Sequence, residues 1–253
     1  MTVRELYQSL NERIPPSLSC PWDNDGLMCC PDGARKVRRI LVTLDVTDEA
    51  ATHAADNGYD LIVSHHPMIF KGLKSVCDGA PVADKTIRLI RQGVSVMSFH
   101  TRLDAVAGGV NDVLAARLGL SDVEPFGEEG IGRIGTLPTA TNAEAFALTV
   151  KQALNAPCVT VADAGLAVRR IAVLGGSGGD DVAIAQAAGA DTFVTGELKY
   201  HQLCDAPEDG INLIEAGHFH TEFPVCEALK ALLLTLDPTL TCDIFNSNRI
   251  RAI

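Results

Sequence analysis

The sequence predicts an α/β protein of two similar halves, an internal duplication in which each half is a mostly parallel sheet flanked by helices. Apolar, β-branched runs alternate with helix-patterned segments, one stretch of the chain lies on another without a gap, and the same His-x-x-x-carboxylate spacing follows both stretches. With 253 residues and 47% hydrophobic content, the chain can bury a substantial core as one large domain or two of ordinary size.

Taken in order, MTVRELYQSLNERIPPSL has a polar, charged helix pattern, without the apolar stretch of a signal peptide. No apolar run reaches membrane-spanning length, so the sequence predicts a cytoplasmic protein with no membrane partner. Pro21 to Leu27 (PWDNDGL) reads as loop; it holds the only tryptophan, Trp22, which either lines a pocket or packs under the loop. Ile40 to Val46 is apolar and β-branched, as in a strand buried on both faces, which implies a parallel sheet. Thr47 to Asp60 follows as a helix, with Thr47 as cap, acids in its first turn and Gly58 as its stop. Leu61 to Pro67 is a second strand, Thr86 to Gly93 a helix and Val94 to His100 a third strand.

The stretch from Arg38, RRILVTLDVTDEAATHAADNGYDLIVSHHP, lies on RRIAVLGGSGGDDVAIAQAAGADTFVTGELK from Arg169. Arg38 matches Arg169, Ile40 matches Ile171, Gly58 matches Gly189, Asp60 matches Asp191 and Ser64 matches Thr195. Further on, the two copies carry His100-x-x-x-Asp104 and His218-x-x-x-Glu222. Ser121 to Leu137, rich in acids and glycines, is read as the boundary, and Asn142 to Val161 as helix then strand. The halves are therefore set at 1–125 and 126–253, with a metal site between them.

His65 and His66 end a buried strand, and Pro67 then pulls the chain out of the sheet. Neighbouring residues on a straight strand point to opposite faces, so both imidazoles serve one site only where the strand breaks. Open α/β sheets bind ligands outside the carboxyl ends of their strands, where His65, His66, His100, Asp104, His218 and Glu222 all fall. Imidazoles with carboxylates suit zinc, iron, manganese or nickel, and so many ligands fit two divalent transition-metal ions better than one. Paired ions activate water, so hydrolysis of a small-molecule substrate is the natural chemistry. His53 and His201 are read as structural, and His220 as either pointing away or lining the mouth of the pocket, at most supporting the site from outside it. The run GGSGGDD (Gly175 to Asp181) either holds a phosphate on backbone N–H groups or forms a tight structural turn capped by its own aspartates.

A formal charge of −11 weighs against direct nucleic-acid binding. The eight cysteines form no C-x-x-C pair and read as reduced thiols.

The motifs SHHP, HTRLDAV, GGSGG and GHFHTE, with WDNDGL near the start, resemble the Nif three-like family, the type-two homologues of GTP cyclohydrolase I, over nearly the whole chain. The resemblance implies that His65, His66, Asp104, His218 and Glu222 are the metal ligands, with Glu222 bridging two ions. It leaves His100 beside the metals without counting it as a ligand, and a general acid/base or orienting role is the hypothesis for it. It further implies a toroidal homohexamer with sites facing an inner cavity, without the inserted domain of longer members. Arg102 stands where the family commonly has Asn, and Asp25 where an apolar residue is usual. Two functions follow: a dinuclear hydrolase acting on GTP or a related nucleotide, or a non-enzymatic metal-binding protein for storage, delivery or regulation.

Overall fold

The computed structural model describes residues 1–127, 130–246 and 248–252. Contacts divide the chain into two units, Met1–Val106 with Cys226–Asn248, and Ala107–Val225 with Arg249–Ile253.

The first unit opens with α1 (Val3–Arg13), whose capping box pairs the Thr2 side chain with the Glu5 N–H and the Glu5 carboxylate with the Thr2 N–H. Val3, Leu6 and Leu10 recur at helical spacing and are its buried face. Next come β1 (Gly26–Cys29), β2 (Arg39–Thr43), α2 (Asp48–Asp56), β3 (Leu61–Ser64), α3 (Pro81–Gln92), β4 (Ser95–Ser98) and α4 (Thr101–Ala105). β2, β3 and β4 run parallel, with Val42 beside Val63 and Val63 beside Met97. Every residue of β3 and β4 is buried, as their unbroken apolar runs require. Two readings of the sequence change here. The segment after Trp22 does not remain loop: Gly26–Cys29 pairs antiparallel with β4, an edge strand held by tertiary pairing against its own turn-forming composition. The helix expected from Thr86 starts at Pro81, a residue whose fixed φ suits a first helical turn.

The second unit contains α5 (Val110–Arg117), β5 (Ser121–Phe126), β6 (Gly132–Thr141), α6 (Ala143–Ala153), β7 (Thr160–Ala162), β8 (Val168–Leu174), α7 (Val182–Ala187), β9 (Thr192–Thr195), α8 (Tyr200–Asp209), β10 (Asn212–Glu215) and α9 (His218–Glu222). Its sheet has the order β5-β6-β8-β9-β10-β7, parallel through β8, β9 and β10 and antiparallel at the other pairings. The stretch Ser121 to Leu137, read as a boundary, is instead the antiparallel pair β5 and β6; within it, Glu128 and Glu129 lie outside the described residues. Its glycines permit close strand approach: a Cβ on Gly132 would strike the Phe126 ring, and one on Gly135 would crowd the Ser121 carbonyl. Both faces of this sheet are covered, with Ile171, Val173, Val194 and Ile214 in one apolar cluster and Ala172, Phe193 and Leu213 in another.

The chain then forms α10 (Val225–Leu236) and β11 (Thr241–Phe245), which runs parallel to β2 with Ile244 beside Val42. The sequence set the division at 125/126 and left this segment in the second half; its strand hydrogen bonds are with the first.

The repeat extends to hydrogen bonds. Asp60 Oδ2 accepts from the N–H groups of Arg38 and Arg39 at 2.9 and 3.1 Å, and Asp191 Oδ2 accepts from those of Arg169 and Arg170 at 3.0 and 2.7 Å. The Phe99 N–H donates to Ser64 O as the Ala216 N–H does to Thr195 O, each at 2.9 Å. Each copy thus fixes the start of its first strand and the end of its third by the same means. Among the described residues no helix is long and apolar enough to cross a membrane.

Candidate metal centre

β3 ends at Ser64, whose hydroxyl donates to the His66 carbonyl at 2.9 Å and lies 2.8 Å from Ser98 Oγ, holding the turn that follows. The break before Pro67 brings the neighbouring imidazoles together, with ring centroids 4.8 Å apart. His65 is fully buried and its Nδ1 lies 2.9 Å from the Phe99 carbonyl. A carbonyl only accepts, so Nδ1 carries the proton and Nε2 presents its lone pair, 3.5 Å from Asp104 Oδ1. His66 Nδ1 pairs with Asp45 Oδ1 at 2.7 Å, and His100 Nδ1 with Asp23 Oδ1 at 2.9 Å. In all three rings Nδ1 is committed to an oxygen, which leaves Nε2 to offer; carboxylate partners of this kind orient metal-binding imidazoles and raise their basicity. One ligand atom from each of His65, His66 and His100 lies within 4.8 Å of the others, so the three could hold a metal ion. Asp104, one helical turn beyond His100 on α4, faces the same cluster through His65.

A buried polar layer supports His100. Asp23, with its side chain inaccessible, accepts from the Thr101 N–H at 3.0 Å and the Thr101 hydroxyl at 2.7 Å as well as from His100. Burial pushes its pKa up, but the bonds from His100 and Thr101 outweigh burial and leave it lowered. Arg102 and Asp25 pair with each other. Arg102 Nε donates to Asp25 Oδ2 at 2.9 Å, both side chains being almost fully buried. Arg102 Nη1 also donates to Asn11 Oδ1 and the Ile14 carbonyl, and its guanidinium lies 4.6 Å over the Phe99 ring. Asp25 accepts from the His100 N–H at 3.2 Å and the Ser19 hydroxyl at 3.0 Å.

In the second unit, His218 and Glu222 stand one turn apart on α9, with His218 Nε2 3.1 Å from Glu222 Oε2 and His218 Nδ1 3.1 Å from Glu197 Oε1. Glu222 is buried, whereas Glu197 is exposed. The glycine run packs against α9. A Cβ on Gly176, whose φ is +69°, would strike Glu222 Oε1 and come within 3.1 Å of His218 Nε2; one on Gly175 would crowd Glu222 Cγ at 3.1 Å. The N–H groups of Gly175, Gly176 and Gly178 donate to Asn111 Oδ1, Thr221 Oγ1 and Thr195 Oγ1 at 2.7, 3.0 and 3.0 Å. Side-chain oxygens of the same unit thus occupy the N–H groups of Gly175, Gly176 and Gly178, while Asp180 of the run pairs with Lys199 Nζ at 3.0 Å.

Of the remaining residues singled out by sequence, His53 packs against Phe245 and Tyr59, with centroids at 4.9 and 5.7 Å, and His201 is exposed on α8. His220 meets Phe219 edge-on and the Leu154 backbone; burial lowers its pKa against the opposing effect of that backbone contact. Trp22 is 62% exposed and does not pack under its loop. Sequence reasoning missed Asp23, Asp45 and Glu197. Their only signal is an acid near a turn or strand end, and each histidine they serve lies well away in sequence.

A family model described as Duf34/NIF3 (NGG1p interacting factor 3) matches residues 1–251. Among curated relatives, a "GTP cyclohydrolase 1 type 2 homolog" of Clostridium perfringens is 32% identical, covering 89% of this chain and 88% of that protein. A "Protein NIF3 homolog" of Schizosaccharomyces pombe is 34% identical, covering 82% and 80%. Among solved structures, the Staphylococcus aureus hypothetical protein SA1388 superposes with a TM-score of 0.91 at 28% identity, covering 100% of this chain and 99% of that one.

Proposed function

The chain belongs to the Duf34/NIF3 (NGG1p interacting factor 3) family, and on that footing we propose that it is a dinuclear metal-dependent hydrolase acting on GTP or a related nucleotide. In this reading His65, His66 and Asp104 from the first half and His218 and Glu222 from the second would hold two divalent transition-metal ions, zinc, iron, manganese or nickel. The observation that carries it is the convergence of three imidazoles whose Nδ1 atoms are all committed to oxygens. Hydrogen-bonded core histidines have no need of such a common orientation. The recurrence of His-x-x-x-carboxylate after the third parallel strand of each copy supports a ligand role for each pair. The donors fit the ions: nitrogen with carboxylate is a borderline transition-metal set.

Ions bound there would supply Lewis-acid polarisation and an activated water. The chain itself orients the ligands through Asp45, Phe99 and Glu197. His100 takes or returns a proton at Nε2, with Asp23 fixing the tautomer and balancing the charge when the ring is protonated. The printed names of the cyclohydrolase-homologue relatives support a nucleotide substrate. The reading also includes a cytoplasmic, toroidal homohexamer.

The test is turnover of GTP, a nucleotide panel and phosphoesters by protein purified without chelators, with Glu222→Ala as control. Turnover lost in Glu222→Ala while the fold persists supports the hydrolase. Bound metal with no turnover on any substrate moves the function to metal storage or delivery.

A further inference from the structure

We propose that Trp22 and Phe70 form a stacking subsite for a flat heteroaromatic ring, of the nucleobase class, at the edge of the histidine cluster. The inference rests on the hydrolase reading of that cluster and names the part of the substrate the first unit grips. Trp22 is 62% exposed and Phe70 47% exposed. Large aromatic surface left in water is unfavourable, and two such rings side by side mark a contact surface. Their centroids lie 6.3 Å apart at an interplanar angle of 71°, and each stands edge-on to His100, at 6.2 Å for Trp22 and 6.1 Å for Phe70. His100 is thus flanked by two aromatic walls.

The pair is also held in place. Asn24 Nδ2 donates to the Ile69 carbonyl at 2.5 Å, joining the residue next but one to Trp22 to the residue before Phe70. Between Trp22 and Asn24, Asp23 is locked to His100 and Thr101. A ligand therefore meets a preorganised corner and loses little to ordering it. Two rings at a steep angle offer one π-face to stack on and one edge to abut, which is the contact a flat ring takes from an edge-to-face pair. A bound ring would leave its substituents beside His66 and His100, whose side chains are 23% and 19% exposed.

Trp22 is the only tryptophan, so emission excited at 295 nm reports this corner alone. The full-length, metal-loaded protein is titrated with guanosine, with GTP and with tripolyphosphate, using free tryptophan amide to correct for absorption. Saturable quenching by guanosine and GTP but not by tripolyphosphate is expected. Phe70→Ala should weaken the guanosine response roughly 5- to 150-fold, the span covered by one base–aromatic stack. Absence of saturable quenching, or equal affinity in Phe70→Ala, overturns the subsite. So does a Trp22→Ala chain that dissociates in sedimentation while the wild type binds no guanosine, which assigns the corner to contact with a second copy. Quenching without turnover keeps the subsite and removes the hydrolase, whereas turnover untouched by Trp22→Ala and Phe70→Ala keeps the hydrolase and removes the subsite.

Discussion

Alanine at Asp25 removes the carboxylate that, among the described residues, pairs with Arg102, a guanidinium whose side chain is 1% exposed. Breaking a buried ion pair from one side costs about 3–5 kcal/mol, because the charge left behind has neither partner nor water. Arg102 keeps two acceptors, Asn11 Oδ1 at 2.8 Å and the Ile14 carbonyl at 3.1 Å, which places the expected loss near the lower end, about 3 kcal/mol. Arg102→Met should cost less, because the stranded Asp25 retains the Ser19 hydroxyl and the His100 N–H as donors. The double variant strands no charge, so its loss should fall short of the summed single losses by about 1–3 kcal/mol. Urea unfolding followed by far-ultraviolet circular dichroism, with slopes compared to confirm a common transition, measures all three. An Asp25→Ala loss below about 1 kcal/mol, or strictly additive single losses, would refute the view that Asp25 and Arg102 act as one buried strut under His100.

Other perturbations reach the site and the repeat. Gly176→Ala forces a Cβ onto Glu222 Oε1 and places alanine at φ +69°, so metal content should fall and stability drop by about 1–2 kcal/mol or more from backbone strain alone; unchanged metal content would show that the close approach is not needed. Asp23→Ala should let the His100 ring exchange tautomers, seen as averaged Nδ1 and Nε2 shifts in nitrogen-15 spectra, whereas a fixed Nδ1–H signal would mean that Asp23 does not set it. Burial raises the Asp60 pKa, but the Arg38 and Arg39 N–H groups and Arg35 outweigh it, leaving the carboxyl below its ordinary value. That stabilisation is complete above an unfolded value of about 3.9 and is lost as pH falls through the lower folded value. Asp60→Asn should therefore cost stability at pH 7 and progressively less below about pH 4; a pH-independent cost would remove the electrostatic explanation.

The parallel strands were legible because a strand buried on both faces has no polar side to interrupt its apolar run, as in Leu61 to Ser64. The matched Asp60 and Asp191 survive in both copies as anchors of the first strand, so self-comparison found them. The ligand candidates were legible as well, since Pro67 marks the strand break and the two His-x-x-x-carboxylate turns repeat. What escaped depends on partners distant in the chain. β1 carries turn-forming neighbours and becomes a strand only by pairing with β4. The partners of the glycine run were hidden for the same reason: Asn111 and Thr221, which accept from the Gly175 and Gly176 N–H groups, lie 64 and 45 residues away. Asp23 and Asp45 lie 77 and 21 residues from the histidines they orient, beyond the reach of any local pattern.

The most direct test of the proposed paired-metal centre is elemental analysis of the full-length protein purified without chelators, alongside Glu222→Ala and His65→Ala. Two divalent transition-metal ions per chain are expected, with loss of at least one in each variant while circular dichroism shows the fold intact. A wild-type protein that carries no metal and takes up none from zinc, manganese, iron or nickel would contradict it.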